Sequence, residues 1–361
     1  MPTGIRLDGC IPCFGRLPYS TIKMSLYSKI HDLFPLYFEG EDYRKNLSVA
    51  LNKYKNLIAS SSYGVDATIQ DTVNQINEKI KDIAKNCYKG LPSTAYTQLN
   101  NLLDSDKINL IETKITKDSS FYRMREAEQG KKFGYQDMFH IPVKLRRIVK
   151  TQRYSSPGYP CLYIGKSVYG CWEEMGRPHL NDCWVSRLQN EEELTLLDLR
   201  IPSESDFNAK MEDYIRLFPL IISCMMPVKN SKDIYKPEYI IPQLIIEYII
   251  KTDKMGVIYT SVHRDCASFD YPFEVYENIV IPVKKALDDK SSYDKKLSQL
   301  FSITMPANNE LEKLKEGYSI DGGHFDLEGD ELKQENYNIS DFGQMENRLK
   351  NTAKYPLNRI C

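Results

Sequence analysis

The residue types that together handle an anionic, ring-bearing ligand fall within one short stretch of the chain: an arginine, tyrosines and a pair of adjacent carboxylates. The stretch reads Arg153-Tyr154-Ser155-Ser156-Pro157-Gly158-Tyr159-Pro160-Cys161-Leu162-Tyr163-Ile164-Gly165-Lys166-Ser167 and continues through Cys171-Trp172-Glu173-Glu174. Arginine offers a planar, permanently charged fork for an anion, and tyrosine a flat apolar face with a polar tip. Pro157-Gly158 is turn chemistry, because proline presets φ and glycine accepts φ > 0, so Arg153 and Tyr163 are brought to the two ends of one tight feature. Cys161-Leu162-Tyr163-Ile164 predicts a buried strand. Ser167 predicts the N-cap of a helix that carries Tyr169, Trp172 and Met175 on one face, with Glu173 and Glu174 near it.

The rest of the chain must hold that stretch in place. Its 361 residues allow about two domains at roughly 150 residues each. Lys+Arg at 48 against Asp+Glu at 49 leave a formal charge of -1, without the basic excess that binding a phosphate backbone requires, so no nucleic-acid partner is expected. The N-terminus lacks the apolar run of a signal peptide, and no later run approaches the ~18 apolar residues of a membrane span, so a soluble, cytoplasmic protein is expected. Nine cysteines, an odd number scattered along the chain, fit reduced thiols rather than a disulfide framework. Cys10-Ile11-Pro12-Cys13 has the spacing of half a zinc site, but no second Cys-x-x-Cys or His pair follows to complete four ligands, and no metal is expected.

Hydrophobic spacing divides the chain. Residues 1–21 form an arm with the Cys-x-x-Cys, and 22–106 an all-α N-terminal domain with helical patterns over Ile22 to Phe34, Tyr43 to Ile58 and Val73 to Cys87. His31 is the only histidine there and no arginine precedes it at the spacing of helical ribonucleases. Residues 107–284 have the shorter apolar runs of an α+β domain. Strands are expected at Phe121 to Arg125, Leu194 to Leu199 and Gly256 to Ser261, a core segment at Pro219 to Met226, and a buried helix over Pro242 to Ile250. Residues 285–361 read as a charged extension, expected to pack weakly or to serve as an interaction surface, with a short helix over Ser340 to Lys350.

From Phe121 to Val262 the chain resembles the RES domain family, named for an Arg, a Glu and a Ser. The matching pieces are Tyr122-Arg123, the Arg153-to-Tyr163 turn and strand, Ser167 with the carboxylate at the end of Cys171-Trp172-Glu173-Glu174, and Gly256-Val257-Ile258-Tyr259-Thr260-Ser261. Tyr154 stands where a Trp is usual in the family, and the helical N-terminal region and C-terminal extension are absent from its short members. The resemblance implies an ADP-ribosyltransferase-like mixed β core and chemistry on NAD+ as a substrate: hydrolysis, phosphorolysis, or transfer of ADP-ribose to a protein. It also implies a toxin, with a cognate antitoxin or regulatory protein as a partner.

Within that resemblance each residue has a role that the chemistry asks for. Cleaving the nicotinamide–ribose bond builds oxocarbenium-like charge on the ribose, and an anion beneath the sugar stabilises the transition state more than the ground state. Glu174 is assigned that role, with Glu173 the alternative, since adjacent helical residues diverge by about 100°. Arg123 and Arg153 are assigned to the pyrophosphate, Tyr163 to the nicotinamide ring, and Ser261 to orienting Arg123 or the carboxylate. His140, between Phe139 and Pro142, is either a ligand contact or a core histidine, and Arg146-Arg147 either a solvated face or an approach to phosphates. The leading expectation is an NAD+ glycohydrolase or phosphorylase; the alternatives are a protein ADP-ribosyltransferase and a non-catalytic interaction module on a RES-like scaffold.

Overall fold

Alternation along the strands sorts the side chains onto two faces of a single mixed sheet. The structure is a computed structural model that describes residues 25–37, 40, 42–127, 131–179, 182–262, 273–284, 293–308, 337–338 and 340–359. The arm 1–21, with Cys10 and Cys13, lies outside the described residues. The strands are β1 (Glu112–Ile115), β2 (Ser120–Glu126), β3 (Cys161–Gly165), β4 (Cys183–Asn190), β5 (Leu194–Leu199), β6 (Val257–Thr260), β7 (Glu277–Pro282), β8 (Phe301–Thr304) and β9 (Lys354–Pro356). They lie side by side in the order β1-β5-β6-β7-β3-β2-β4-β8-β9. β5 and β6 pair in parallel and the other neighbours pair antiparallel.

The first face carries the helices. Cys161 and Tyr163 of β3, Val257 and Tyr259 of β6, and Leu197 and Leu199 of β5 point into one apolar cluster, as period-2 alternation dictates. Above them lie α7 (Met211–Cys224) and α8 (Ile240–Lys251), reached from β5 through the short α6 (Glu204–Ala209). This crossover of helices is what a parallel β5–β6 pair requires. The N-terminal helices α1 (Leu26–His31), α2 (Tyr43–Ile58), α3 (Ala67–Tyr88) and α4 (Pro92–Leu103) extend the same cluster without a break. Tyr54 Oη donates to the carbonyl of Ile215 at 2.8 Å, and Tyr248 Oη to Asp104 Oδ1 at 2.9 Å, so both ends of the interface carry a specific bond.

Helix limits follow the local chemistry. Asp42 accepts from the Arg44 amide and Asp66 from the Thr68 amide, which caps α2 and α3. Pro92 opens α4, where a missing N–H costs nothing.

Leu162, Ile164, Ile258, Ile279 and Ile281 face the opposite side and meet Phe139, Phe301 and Ile303. A third cluster joins α5 (Val168–Glu174) to α10 (Asp341–Lys350) through Tyr169, Phe342 and Met345. The described parts of 285–361 therefore do not pack weakly, as their charge suggested. β8 and β9 extend the sheet beyond β4, α9 (Lys295–Gln299) precedes β8, and Met345, Leu349 and Leu357 are buried.

Candidate active site

The turn at Pro157-Gly158 forms as its residues demand: Gly158 has φ +79° and the Tyr159 amide donates to the Ser156 carbonyl at 3.1 Å. Gln243 of α8 holds the preceding loop, its Nε2 lying within 3.0–3.2 Å of Thr151 Oγ1 and the carbonyls of Gln152 and Ser155. Tyr163 closes the feature from β3, its hydroxyl accepting from the Tyr154 amide and donating to Ser155 Oγ, each at 3.2 Å. Arg153 and Tyr163 thus stand at the two ends of one rigid turn.

Beneath that turn lies a cavity of about 1220 Å³, above the roughly 300–1,000 Å³ of most ligand sites. Its cationic wall is Arg123, Arg153, Lys150, Lys232 and Lys236, against the carboxylates of Glu174 and Asp233. Tyr163, Tyr239 and Tyr259 supply rings, with Tyr259 fixed by Tyr154 at a centroid distance of 4.6 Å. Arg153 lies 5.1 Å over the Tyr239 ring and its Nη1 donates to the carbonyls of Cys224 and Met226, both at 2.9 Å. Those bonds fix the guanidinium without neutralising it.

Arg123 is the most exceptional charge of the wall. It projects from β2, and its Nη1 donates to the Tyr163 carbonyl at 2.7 Å, while the buried Nε finds no partner and no carboxylate pairs with it among the described residues. Burial pulls its pKa down to about 10, so it stays charged at neutral pH at a cost that a bound anion would remove. Cys171, also in the wall, has its thiol pushed up to about 12 by burial and is no nucleophile at neutral pH.

The two adjacent glutamates part company at the end of α5. Ser167 caps the helix, accepting from the Gly170 amide at 2.8 Å and donating to the Val275 carbonyl at 2.6 Å. Gly170 permits this approach, since a Cβ there would come within 2.5 Å of the Val275 carbonyl oxygen. Both carboxylates stand at the C-terminal end, which the helix dipole disfavours for negative charge. Glu173 is buried and paired with Arg177 Nε at 2.9 and 3.1 Å; Arg177 turns back to it through a left-handed residue, φ +56°. Glu174 lines the cavity, and its Oε1 accepts from Asn278 Nδ2 at 2.9 Å.

The remaining predicted positions lie apart. His140 is buried beside Phe139 and Tyr293, with Nδ1 2.9 Å from the Ile141 carbonyl and Nε2 accepting from the Asp294 amide at 3.0 Å. Both ring nitrogens are used and burial lowers its pKa to about 4, so it is a neutral core histidine outside the cavity wall. Ser261 is fully buried, its amide donates to the Tyr276 carbonyl at 2.8 Å, and it too lies outside the wall. Arg146 is exposed and braces the turn through a 3.0 Å bond to the Gly158 carbonyl.

Asn278, Tyr239, Lys232 and Lys236 are cavity residues that the sequence did not single out. Asn278 left a trace: with Glu277 it stands at the head of the apolar run Ile279-Val280-Ile281, and asparagine is depleted in central strands. Beside it, Glu277 points away and joins a separate ionic cluster. Arg200 there contacts Asp198 at 2.6 and 2.9 Å and Glu277 at 2.7 Å. Among the described residues no group of three metal-ligating side chains occurs, and no helix is long and apolar enough to cross a membrane.

The chain is 37% identical over 204 residues to a Bacillus subtilis (strain 168) protein described as "Putative toxin YopC". The similarity takes in 52% of this chain and 45% of that protein, so the chain spans about half the length of the curated relative it matches. No family model matches the chain, and no solved structure matches it.

Proposed function

We propose that this chain is a RES-type enzyme that consumes NAD+ by cleaving its nicotinamide–ribose bond, and that it acts as a toxin. The observation that carries the reading is Arg123, a half-buried arginine whose buried Nε has no hydrogen-bond partner and which no carboxylate pairs with among the described residues, in the same wall as the Glu174 carboxylate. A dinucleotide suits this wall in each part. Arg123 and Arg153 match its pyrophosphate, Tyr163, Tyr239 and Tyr259 match its rings, and Glu174 matches the positive charge that develops on the ribose. The toxin role is supported by the printed description of the relative, and the RES assignment by the ordered motif residues.

In this mechanism nicotinamide leaves with the bonding electron pair of the ribose–nitrogen bond, and Glu174 stabilises the oxocarbenium-like sugar until an acceptor adds. Induction in a bacterial host tests the proposal. Cellular NAD+ falls with the wild-type chain and holds with Arg123→Ala or Glu174→Gln. Unchanged NAD+ with the wild-type protein, expressed and folded, overturns the reading. Labelled NAD+ incubated with lysate identifies the acceptor, since only ADP-ribosyl transfer marks protein bands.

A further inference from the structure

We infer that Asn278 is a positioning residue for Glu174, an inference that rests on the proposed cleavage of NAD+ for its kinetic consequence but not for its geometry. Asn278 sits on β7 between two cavity-lining residues in register, Gly165 of β3 and Tyr259 of β6. It is 5% exposed, in the middle of a nine-stranded sheet where a β-branched residue would be the ordinary choice. Gly165 makes the room: a Cβ there would stand 3.1 Å from Asn278 Oδ1 and 2.8 Å from Cys171 Sγ. The amide nitrogen so placed donates to Glu174 Oε1 at 2.9 Å.

The choice of amide has a chemical reason. An arginine or lysine would hold the carboxylate equally well but would cancel the charge a cationic sugar needs, as Arg177 does for Glu173. An amide donor fixes one oxygen and leaves the negative charge intact. It also compensates the helix end, where a carboxylate is otherwise disfavoured. Aspartate at 278 would keep the shape, lose the donor and set a second carboxylate against the first.

Asn278→Asp and Asn278→Ala separate donor from space. Both are expected to lower kcat for NAD+ by about 10–100-fold, the isosteric Asp at least as much as Ala, with KM changed less than threefold. Asn278→Asp at half the wild-type kcat or better, or a loss confined to KM, overturns the positioning role. Crystal structures of the wild-type protein and Asn278→Ala give a readout free of any activity: the Glu174 carboxylate is expected to leave its 2.9 Å position in the variant. A carboxylate that stays put overturns the inference even if the wild-type chain turned over no NAD+. That last result would instead count against the proposed function alone.

Discussion

In two pairs of consecutive residues one member enters an ion pair and the other faces the cavity. On α5, Glu173 is matched by Arg177 while Glu174 faces the cavity; on β7, Glu277 is matched by Arg200 while Asn278 faces the cavity. Around Arg200 every buried charge is answered by an opposite one, with the carboxylates of Asp198 and Glu277 each only 7% exposed. Around Arg123, among the described residues, a half-buried charge meets a single carbonyl and its buried Nε meets no acceptor. One region matches its charges across the sheet, and the other leaves its cation without a carboxylate partner among the described residues.

Substitutions can break this contrast. Arg123→Met is expected to cut NAD+ consumption by about 10²–10³-fold, the usual cost of removing one preorganised charged or polar group, while raising the thermal midpoint by relieving an unmatched charge; turnover and melting curves on one preparation check both signs. Arg200→Met is expected to do the reverse to stability. It strands two buried carboxylates and costs about 3–5 kcal/mol in urea unfolding.

Smaller effects sharpen the contrast. Glu346 of α10 accepts from the Val168 amide and from Tyr337 Oη, and burial lifts its carboxyl to about 7. The folded protein holds this proton more tightly than the unfolded chain, so stability falls as pH rises from about 4.5 to about 7 and is level above. Glu346→Gln keeps an acceptor for both donors, removes that slope, and gains up to about 3 kcal/mol at pH 8 in denaturant titrations. Glu173→Gln loses the pairing with Arg177 but not the cavity carboxylate. It is expected to leave turnover within about threefold of wild type while Glu174→Gln does not, a difference of roughly 1 kcal/mol or more in the kinetic barrier.

Local signals were legible in the sequence and long-range placement was not. The apolar spacing from Tyr43 to Ile58 gives α2 at both ends, and Ser167 gives the cap of α5, because each depends on near neighbours. Strand β4 escaped notice because Ser186, Arg187, Gln189 and Asn190 break its apolar pattern; they are buried and mostly bonded within the protein, which composition alone does not announce. β8 and β9 are short and lie in a stretch whose charge masked them. Arg123, Arg153, Tyr163 and Glu174, singled out by residue type and by the RES resemblance, all line one cavity. Asn278 and Tyr239 were missed because only the pairing of β7 and the return of the chain before α8 bring them to the cavity. His140 was left open between ligand contact and core for the same reason: what satisfies its ring is an amide far along the chain, at Asp294.

The place of β7 between β3 and β6 also sets a clock. During synthesis the first arginine, the turn and both glutamates emerge long before the strand that holds Glu174 in its pose. A ribosome adding about 5–20 residues per second leaves an interval of several seconds or more in which the nascent chain carries these side chains without the strand that sets their geometry. The cavity is therefore completed only when β7 slots into the gap left for it.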